Sequence, residues 1–321
     1  MLPRALPTRS LALTPIGLGV WTLSRKYWGD DHDDARAIRT IHAALDSGIN
    51  WVDTAPLYGE GHGDRLVAEA LSGRPEVIVA SKVGVLVEGT ASGHAESKLT
   101  AEHVVADCEA SLRRLKRDRI DLLQVHWPCN HGTPLEETVG ALDGLRAAGK
   151  IREWGLCNYD ADGIAEARMH ATQGVASLQT PLSLLRREAE HEVLGVCGQG
   201  PQPTAVFAYE TLCRGLLTGR FRSLPTFPAT DQRSWDERFQ GRRFAHARAL
   251  LDDLQKVADR VHIGLPELVV GWVLAKKQVH CAIVGARTPD QIIQTATAAR
   301  LVSKSKLWAI VDKVAALHGG G

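Results

Sequence analysis

Four ionisable side chains close or follow short apolar runs in the first half of this 321-residue chain. Asp53 ends I-N-W-V-D, Tyr58 comes five residues later, Lys82 ends V-I-V-A-S-K, and His126 ends D-L-L-Q-V-H. A phenol has an ordinary pKa of ~10 and is a poor proton donor at neutral pH. An ammonium beside it favours phenolate and lowers that value, and a carboxylate keeps the ammonium charged and in place. A nearby imidazole can hydrogen-bond a carbonyl oxygen and set its angle. The set suits carbonyl reduction, provided that hydride comes from elsewhere. Singly, each residue has an ordinary explanation: Asp53 as a turn cap, Lys82 as a solvated strand end, His126 as a satisfied core histidine. Their weight comes from recurring at the same end of neighbouring elements.

Those elements repeat along the chain as an apolar run, a loop and an amphipathic helix. The runs are 16–21, 49–53, 77–82, 121–126, 151–157, 175–179, 204–209 and 281–285. Their near-continuous Val, Ile and Leu content is what strands covered on both faces require. Between them, Ile38, Ile41 and Leu45 fall on one helical face, as do Val104, Val105, Cys108, Leu112 and Leu115. Gly48 and Gly149 stand where a glycine ends a helix. Eight strands alternating with helices predict a parallel sheet closed as a (β/α)₈ TIM barrel, whose active site lies at the C-terminal ends of its strands. An open doubly wound sheet would want G-x-G-x-x-G after its first strand; G-L-G-V-W at 17–21 lacks the third glycine, and G-E-G-H-G at 59–63 has the wrong spacing. Residues 1–15 read as a short hairpin before the barrel. Residues 213–243 read as a long polar loop after the seventh strand, its Arg233, Arg238, Arg242 and Arg243 mostly a solvated face. No linker is visible, so 1–321 reads as a single barrel domain.

Bulk properties narrow the function. With 38 basic and 37 acidic residues, the chain lacks the charge of a nucleic-acid or polybasic membrane surface. No stretch approaches the ~20 apolar residues of a membrane span, and the apolar run 11–21 is interrupted by Thr14, Pro15 and two glycines, unlike a signal peptide. The six cysteines form no C-x-x-C pair and read as free thiols of a reducing compartment, which makes a cytoplasmic protein the expectation. His126, Cys129 and His131 crowd one loop without making a compact zinc set, and no G-x-S-x-G elbow is present. A small-molecule substrate is the remaining expectation; oligomeric state is not legible.

Five segments are similar to the aldo-keto reductase superfamily: G-I-N-W-V-D-T-A-P-L-Y-G (48–59), S-K-V-G (81–84), S-L-R-R-L-K-R-D-R-I-D-L-L-Q-V-H-W-P (111–128), G-K-I-R-E-W-G-L-C-N-Y (149–159) and I-V-G-A-R-T-P-D-Q (283–291). The opening G-L-G-V-W with W-G at 28–29 most resembles the bacterial branch of aldose- and inositol-associated reductases and the potassium-channel β-subunit type. The resemblance implies a nicotinamide cofactor, NADP(H), held in extended form across the barrel mouth, with Asp53, Tyr58, Lys82 and His126 as the catalytic tetrad. It implies that Asn158 and Gln179 hold the carboxamide, with Cys157 where the family has a serine, and that Tyr209 stacks on the nicotinamide, with Gly19, Val20 and Trp21 around it. Leu212, Gly215 and Arg220 match the pyrophosphate stretch, whereas Glu210 places a carboxylate where a small polar residue is usual, with Arg214 beside it to offset the charge. Gly285, Arg287, Thr288 and Gln291 resemble the adenosine 2′-phosphate pocket, and Gln294 and Thr295 replace the usual Glu-Asn pair.

The substrate walls implied are Trp21, Tyr27, Trp28 and Trp127, with the 85–98 loop and the 213–243 segment. NADP(H) rather than NAD(H) is expected because Arg287 can fork onto a 2′-phosphate and no acidic residue precedes Asp290 in its loop. The activity implied is reduction of an aldehyde, ketone or sugar-like carbonyl. The alternatives are the reverse reaction, an aldose or polyol dehydrogenase, and a cofactor-sensing subunit with little turnover.

Overall fold

The computed structural model describes residues 1–8, 10–86 and 96–319. After a two-stranded hairpin, β1 (Arg4–Ala5) and β2 (Ala12–Leu13), come eight parallel strands: β3 (Ile16–Gly19), β4 (Trp51–Asp53), β5 (Ile78–Val83), β6 (Ile120–Val125), β7 (Ile151–Cys157), β8 (Ser177–Pro181), β9 (Ala205–Tyr209) and β10 (Val279–Gly285). They pair in sequence order, and β10 closes on β3 with Gly285 opposite Gly19, so the sheet is a closed barrel. The helices between and after them are α1 (Asp34–Asp46), α2 (His62–Ala70), α3 (Ala101–Leu115), α4 (Leu135–Ala147), α5 (Ala161–His170), the single turns α6 (Ala189–Glu192) and α7 (Leu194–Cys197), α8 (Gly241–Arg260), α9 (Leu265–Leu274), α10 (Pro289–Ala296) and α11 (Ser305–Leu317).

The expected strands are all present with shifted ends. The first stops at Gly19, and Val20–Leu23 turns into a 3-10 helix; the second begins at Trp51, and the sixth runs on to Pro181. Each helix buries a stripe. In α3 this is Val104, Cys108, Leu112 and Leu115, whereas Val105, expected on the same face, is exposed. Gly48 and Gly149 adopt the left-handed conformation past α1 and α4, and the following residues return hydrogen bonds to Ala44 and Leu145.

Strand side chains alternate between two destinations. Outward residues such as Val52, Val79, Leu123, Leu178 and Val284 join the helices in the main core. Inward residues Trp51, Ala80, Leu122, Phe207 and Ile283 form a second cluster with Leu6, Leu11 and Leu13 of the hairpin. The hairpin is therefore a plug for the N-terminal end of the barrel. Trp51 and Phe207 meet there with ring centroids 5.3 Å apart, and the Trp51 indole donates to the Thr14 carbonyl. A Cβ on Gly17 would come within 2.2 Å of that indole, so glycine makes the space the ring fills.

The segment 213–243 differs from its reading as a polar loop. Phe221, Phe227 and Phe239 pack edge-to-face at centroid distances of 5.3–5.8 Å, giving it an aromatic core of its own. Arg233 is buried against Asp231, and Arg238 pairs with Asp236 and Glu210; only Arg242 and Arg243 are the solvated arginines expected.

Candidate active site

Period-two alternation puts Asp53 two residues above Trp51, Lys82 two above Ala80, and Cys157, Gln179 and Tyr209 on the same inner wall. The polar layer at the C-terminal mouth therefore sits directly on the apolar layer of the barrel. Lys82 Nζ donates to Asp53 Oδ1 at 2.6 Å, to the Thr54 carbonyl at 3.1 Å and to Tyr58 Oη at 3.1 Å. Asp53 and Lys82 are almost wholly buried, at 2% and 1% exposure. Tyr58 reaches the pair because residues 54–61 form a chain of tight turns leading to α2, with Gly63 packed against its Cβ. The ring of Tyr58 stacks 6.1 Å from Trp21 and lies edge-on to His126, also at 6.1 Å.

Burial of Lys82 opposes its charge, but Asp53 and then Tyr58 more than reverse this, and its pKa is raised. Tyr58 departs from expectation. Burial pushes its phenol up, and Lys82 recovers only part of the shift because Asp53 acts against it. The hydroxyl thus holds its proton more tightly than a free phenol. Burial, and then Lys82, push His126 well below the usual imidazole range, so the ring is neutral. Its ring nitrogens make no hydrogen bond within the protein among the described residues, although it is nine-tenths buried. These nitrogens are not among the fully buried unpartnered polar atoms, so they open onto the cavity that the ring lines.

The expected carboxamide holders are already engaged within the protein. Gln179 Nε2 donates to Asp53 Oδ2 at 2.6 Å and to the Gln124 side chain, which leaves its own oxygen as the available group. Asn158, left-handed at φ 64°, donates to the His126 carbonyl and accepts from Tyr209 Oη at 2.7 Å. Burial holds Cys157 as a neutral thiol.

A cavity of about 700 Å³ extends from Lys82, His126 and Trp127 to Arg220, Arg287 and Gln294. It is lined by Gly19, Trp21, Trp28, Asp53, Tyr58, Asn158, Gln179 and Tyr209 at one end and by Leu212, Arg214, Gly215, Gly285 and Gln291 at the other. Two expected residues fall outside it: Val20 is buried in the main core, and Tyr27, at φ 73°, leans on Trp235 instead. Of the 85–98 loop, residues 87–95 lie outside the described residues. Sequence reasoning missed Thr22, Arg186, Thr218, Leu265 and Pro266; the signal for the last two was G-L-P-E, where the Glu267 carboxylate accepts the Gly264 N–H. Among the described residues no three His, Cys, Asp or Glu side chains gather as a metal ion requires, and no helix is long and apolar enough to cross a membrane.

Glu210 lines the cavity, but its carboxylate is taken up by arginines. It is an ionised carboxylate, held low by Arg238 and Arg214 against the effect of burial, and it bonds Arg214 at 2.9 Å and Arg238 at 3.0 Å, with Arg186 at 3.5 Å. Cys213, Arg214 and Gly215 beside it are all left-handed; such backbone strain, of order 1–3 kcal/mol per non-glycine residue, concentrates at ligand sites. A Cβ on Gly215 would meet nothing within 4 Å, so the backbone there borders open space. Thr295 is buried and bonds the Gln291 carbonyl, and Gln291 accepts the Arg287 N–H.

This constellation can be set beside known proteins. The aldo/keto reductase family model matches residues 15–316. An aldo-keto reductase of Bacillus subtilis, YhdN, is 36% identical over 86% of this chain and 82% of its own. An NADH-specific methylglyoxal reductase of Escherichia coli is 32% identical over 91% and 92%. Among solved structures, a glycerol dehydrogenase of Gluconobacter oxydans superposes with a TM-score of 0.85 at 35% identity, covering 98% of this chain and 95% of that one. An aldo-keto reductase of Klebsiella pneumoniae in complex with NADPH gives 0.73 at 28%, covering 98% and 94%. A family match over nearly the whole chain and a buried Asp–Lys–Tyr–His group at the barrel mouth agree: the protein is an oxidoreductase of the aldo/keto reductase family.

Proposed function

We propose that the protein reduces a small aldehyde, ketone or sugar-like carbonyl with NADP(H), Tyr58 giving the proton. The observation that carries this is the Lys82 ammonium bonded to both Asp53 and Tyr58 beside a neutral, unpartnered His126. The residues fit a nicotinamide dinucleotide. The inner end offers the Gln179 oxygen and the Tyr209 ring to a planar carboxamide-bearing ring. The outer end offers Arg214, Arg220 and Arg287 to phosphates, with Gly215 leaving room for their approach. That cofactor, when bound, supplies the hydride.

The chain's own residues do the rest. A carbonyl oxygen placed between Tyr58 and His126 receives two hydrogen bonds, and the neutral imidazole donates one without giving up its proton. As negative charge gathers on that oxygen, the Tyr58 hydroxyl transfers its proton. The resulting phenolate is stabilised by Lys82, whose charge Asp53 maintains in a site with little water. The raised pKa keeps the phenol protonated but makes it a weaker acid, so the transfer depends on the Lys82 ammonium beside the developing phenolate. Trp21 and Trp28, edge-on at 5.7 Å, wall the site.

The same groups serve alcohol oxidation, and the solved neighbour named as a glycerol dehydrogenase favours that second reading. A relative named as a methylglyoxal reductase points to small dicarbonyls in the reductive direction. A steady-state screen decides between them: methylglyoxal, simple aldehydes, ketones, sugars and quinones with NADPH and with NADH, and glycerol and aldoses with NADP⁺ and NAD⁺. Turnover with no carbonyl and no alcohol, together with tight cofactor binding, would replace an enzyme with a cofactor-sensing subunit.

A further inference from the structure

Arg287 does not stand free at the rim of the cavity. Its Nη2 donates to the backbone oxygen of Asp31 at 2.7 Å and lies 3.4 Å from the Asp31 carboxylate. That carboxylate also takes Arg36 Nη2 at 3.0 Å. Asp31 belongs to the turn D-D-H-D-D before α1, far from Arg287 in sequence. The two meet because β3 and β10 are paired neighbours, so the loops leaving their C-terminal ends share one stretch of rim. The Asp31 side chain is 72% exposed and that of Arg287 22%, so the carboxylate sits on the outer side of the pair. Arg287 is embedded among like charges. Burial works against its charge, Asp31 is the strongest influence supporting it, and Arg233 and Arg36 oppose it. Arg233 is itself neutralised by Asp231.

We propose that Asp31 sets the discrimination between NADPH and NADH, by holding a carboxylate against the Nη2 corner of the guanidinium that a 2′-phosphate would need. This deepens the reading above and rests on Arg287 being the 2′-phosphate partner. A phosphate approaching Arg287 must share its donor face with the carboxylate and meets that carboxylate's charge. A free 2′-hydroxyl leaves the Asp31–Arg287 pair intact and can donate to it. Asp31 therefore narrows the advantage that Arg287 gives to NADPH, and NADH is accepted beside it.

The test is isothermal titration of the full chain with 2′,5′-ADP and with 5′-AMP, which differ only in the 2′-phosphate, for wild type, Asp31→Asn, Arg287→Ala and the double variant. Asp31→Asn keeps the backbone carbonyl that orients Arg287 and changes an exposed side chain. It is expected to tighten 2′,5′-ADP about ten-fold, the scale of one charged hydrogen bond, while 5′-AMP stays within about two-fold. In the Arg287→Ala background the same substitution should have little effect. Unchanged or weaker 2′,5′-ADP binding by Asp31→Asn, or equal tightening of both nucleotides, overturns the role of Asp31. If Arg287→Ala binds both nucleotides as wild type does, the assignment of Arg287 to the 2′-phosphate fails first, and the Asp31 proposal with it.

Discussion

The two ends of the cavity are built by different means. At the inner end, Asp53 and Lys82 stand on adjacent paired strands, and their separation follows from a register in which Asp53 lies opposite Ala80. At the outer end, Arg214, Arg220 and Arg287 come from loops; Arg214 meets Glu210 and Asp236, and Arg287 meets Asp31. A strand end is placed to within a fraction of an ångström by the sheet it belongs to. A loop arginine is placed by whichever carboxylate reaches it. The first arrangement yields one buried ion pair held against the Tyr58 hydroxyl. The second yields a network of partners that a ligand phosphate, if bound there as proposed, would compete with or add to.

The sharpest test of that contrast is Lys82→Met. It leaves Asp53 buried beside Gln179 with no cation, and breaking a buried pair typically costs ~3–5 kcal/mol. Turnover should vanish and the urea midpoint should fall together; a fully active, fully stable variant would mean the inner end is no more demanding than a surface pair. Tyr58→Phe separates chemistry from architecture. It should lower kcat by about 10² or more, the usual scale of general acid catalysis, with cofactor affinity measured by fluorescence quenching nearly unchanged. Retention of more than about a tenth of the turnover would remove Tyr58 as the proton donor.

Glu210→Gln probes the outer end and should act mainly on stability, by about 1–3 kcal/mol, with faster proteolysis within 213–243 and a chemical step left near wild type. Its pH dependence has a defined sign. The folded-state pKa of Glu210 is depressed, so the unfolded chain takes up that proton first as pH falls. The stability from this carboxylate is complete above about pH 4.3, the ordinary value, and is lost as pH drops through the folded value. Wild type should therefore lose its advantage over Glu210→Gln in that acidic window; an advantage that persisted would show that Glu210 is not charged against the arginines. The smallest expected effect is none. With Tyr58 and Lys82 raised and His126 lowered, kcat for reduction should be flat from about pH 7 to 9.5, and a clear inflection inside that range would show that one of the three titrates there.

Much of this molecule was legible before its structure. Apolar runs alternating with helical stripes indicate a parallel sheet covered on both faces, and eight such units without the G-x-G-x-x-G of an open doubly wound sheet point to a barrel. The same runs put Asp53, Lys82 and His126 at the catalytic edge, because each ends a strand. Local spacing carries no information on pairs distant in sequence. The phenylalanines of 213–243 looked like isolated residues in a polar loop until packing brought them together. Glu210 looked like a defect beside phosphates until Arg186 and Arg238 closed on it. The shift of Tyr58 was misjudged for a related reason: the sequence names its neighbours but not how dry the site is, and in a closed barrel mouth desolvation outweighs the ammonium. Asp31 looked like one more acid in a run preceding a helix. Only closure of β10 on β3 set it against Arg287, since the two loops become neighbours through a contact that exists only once the barrel is whole.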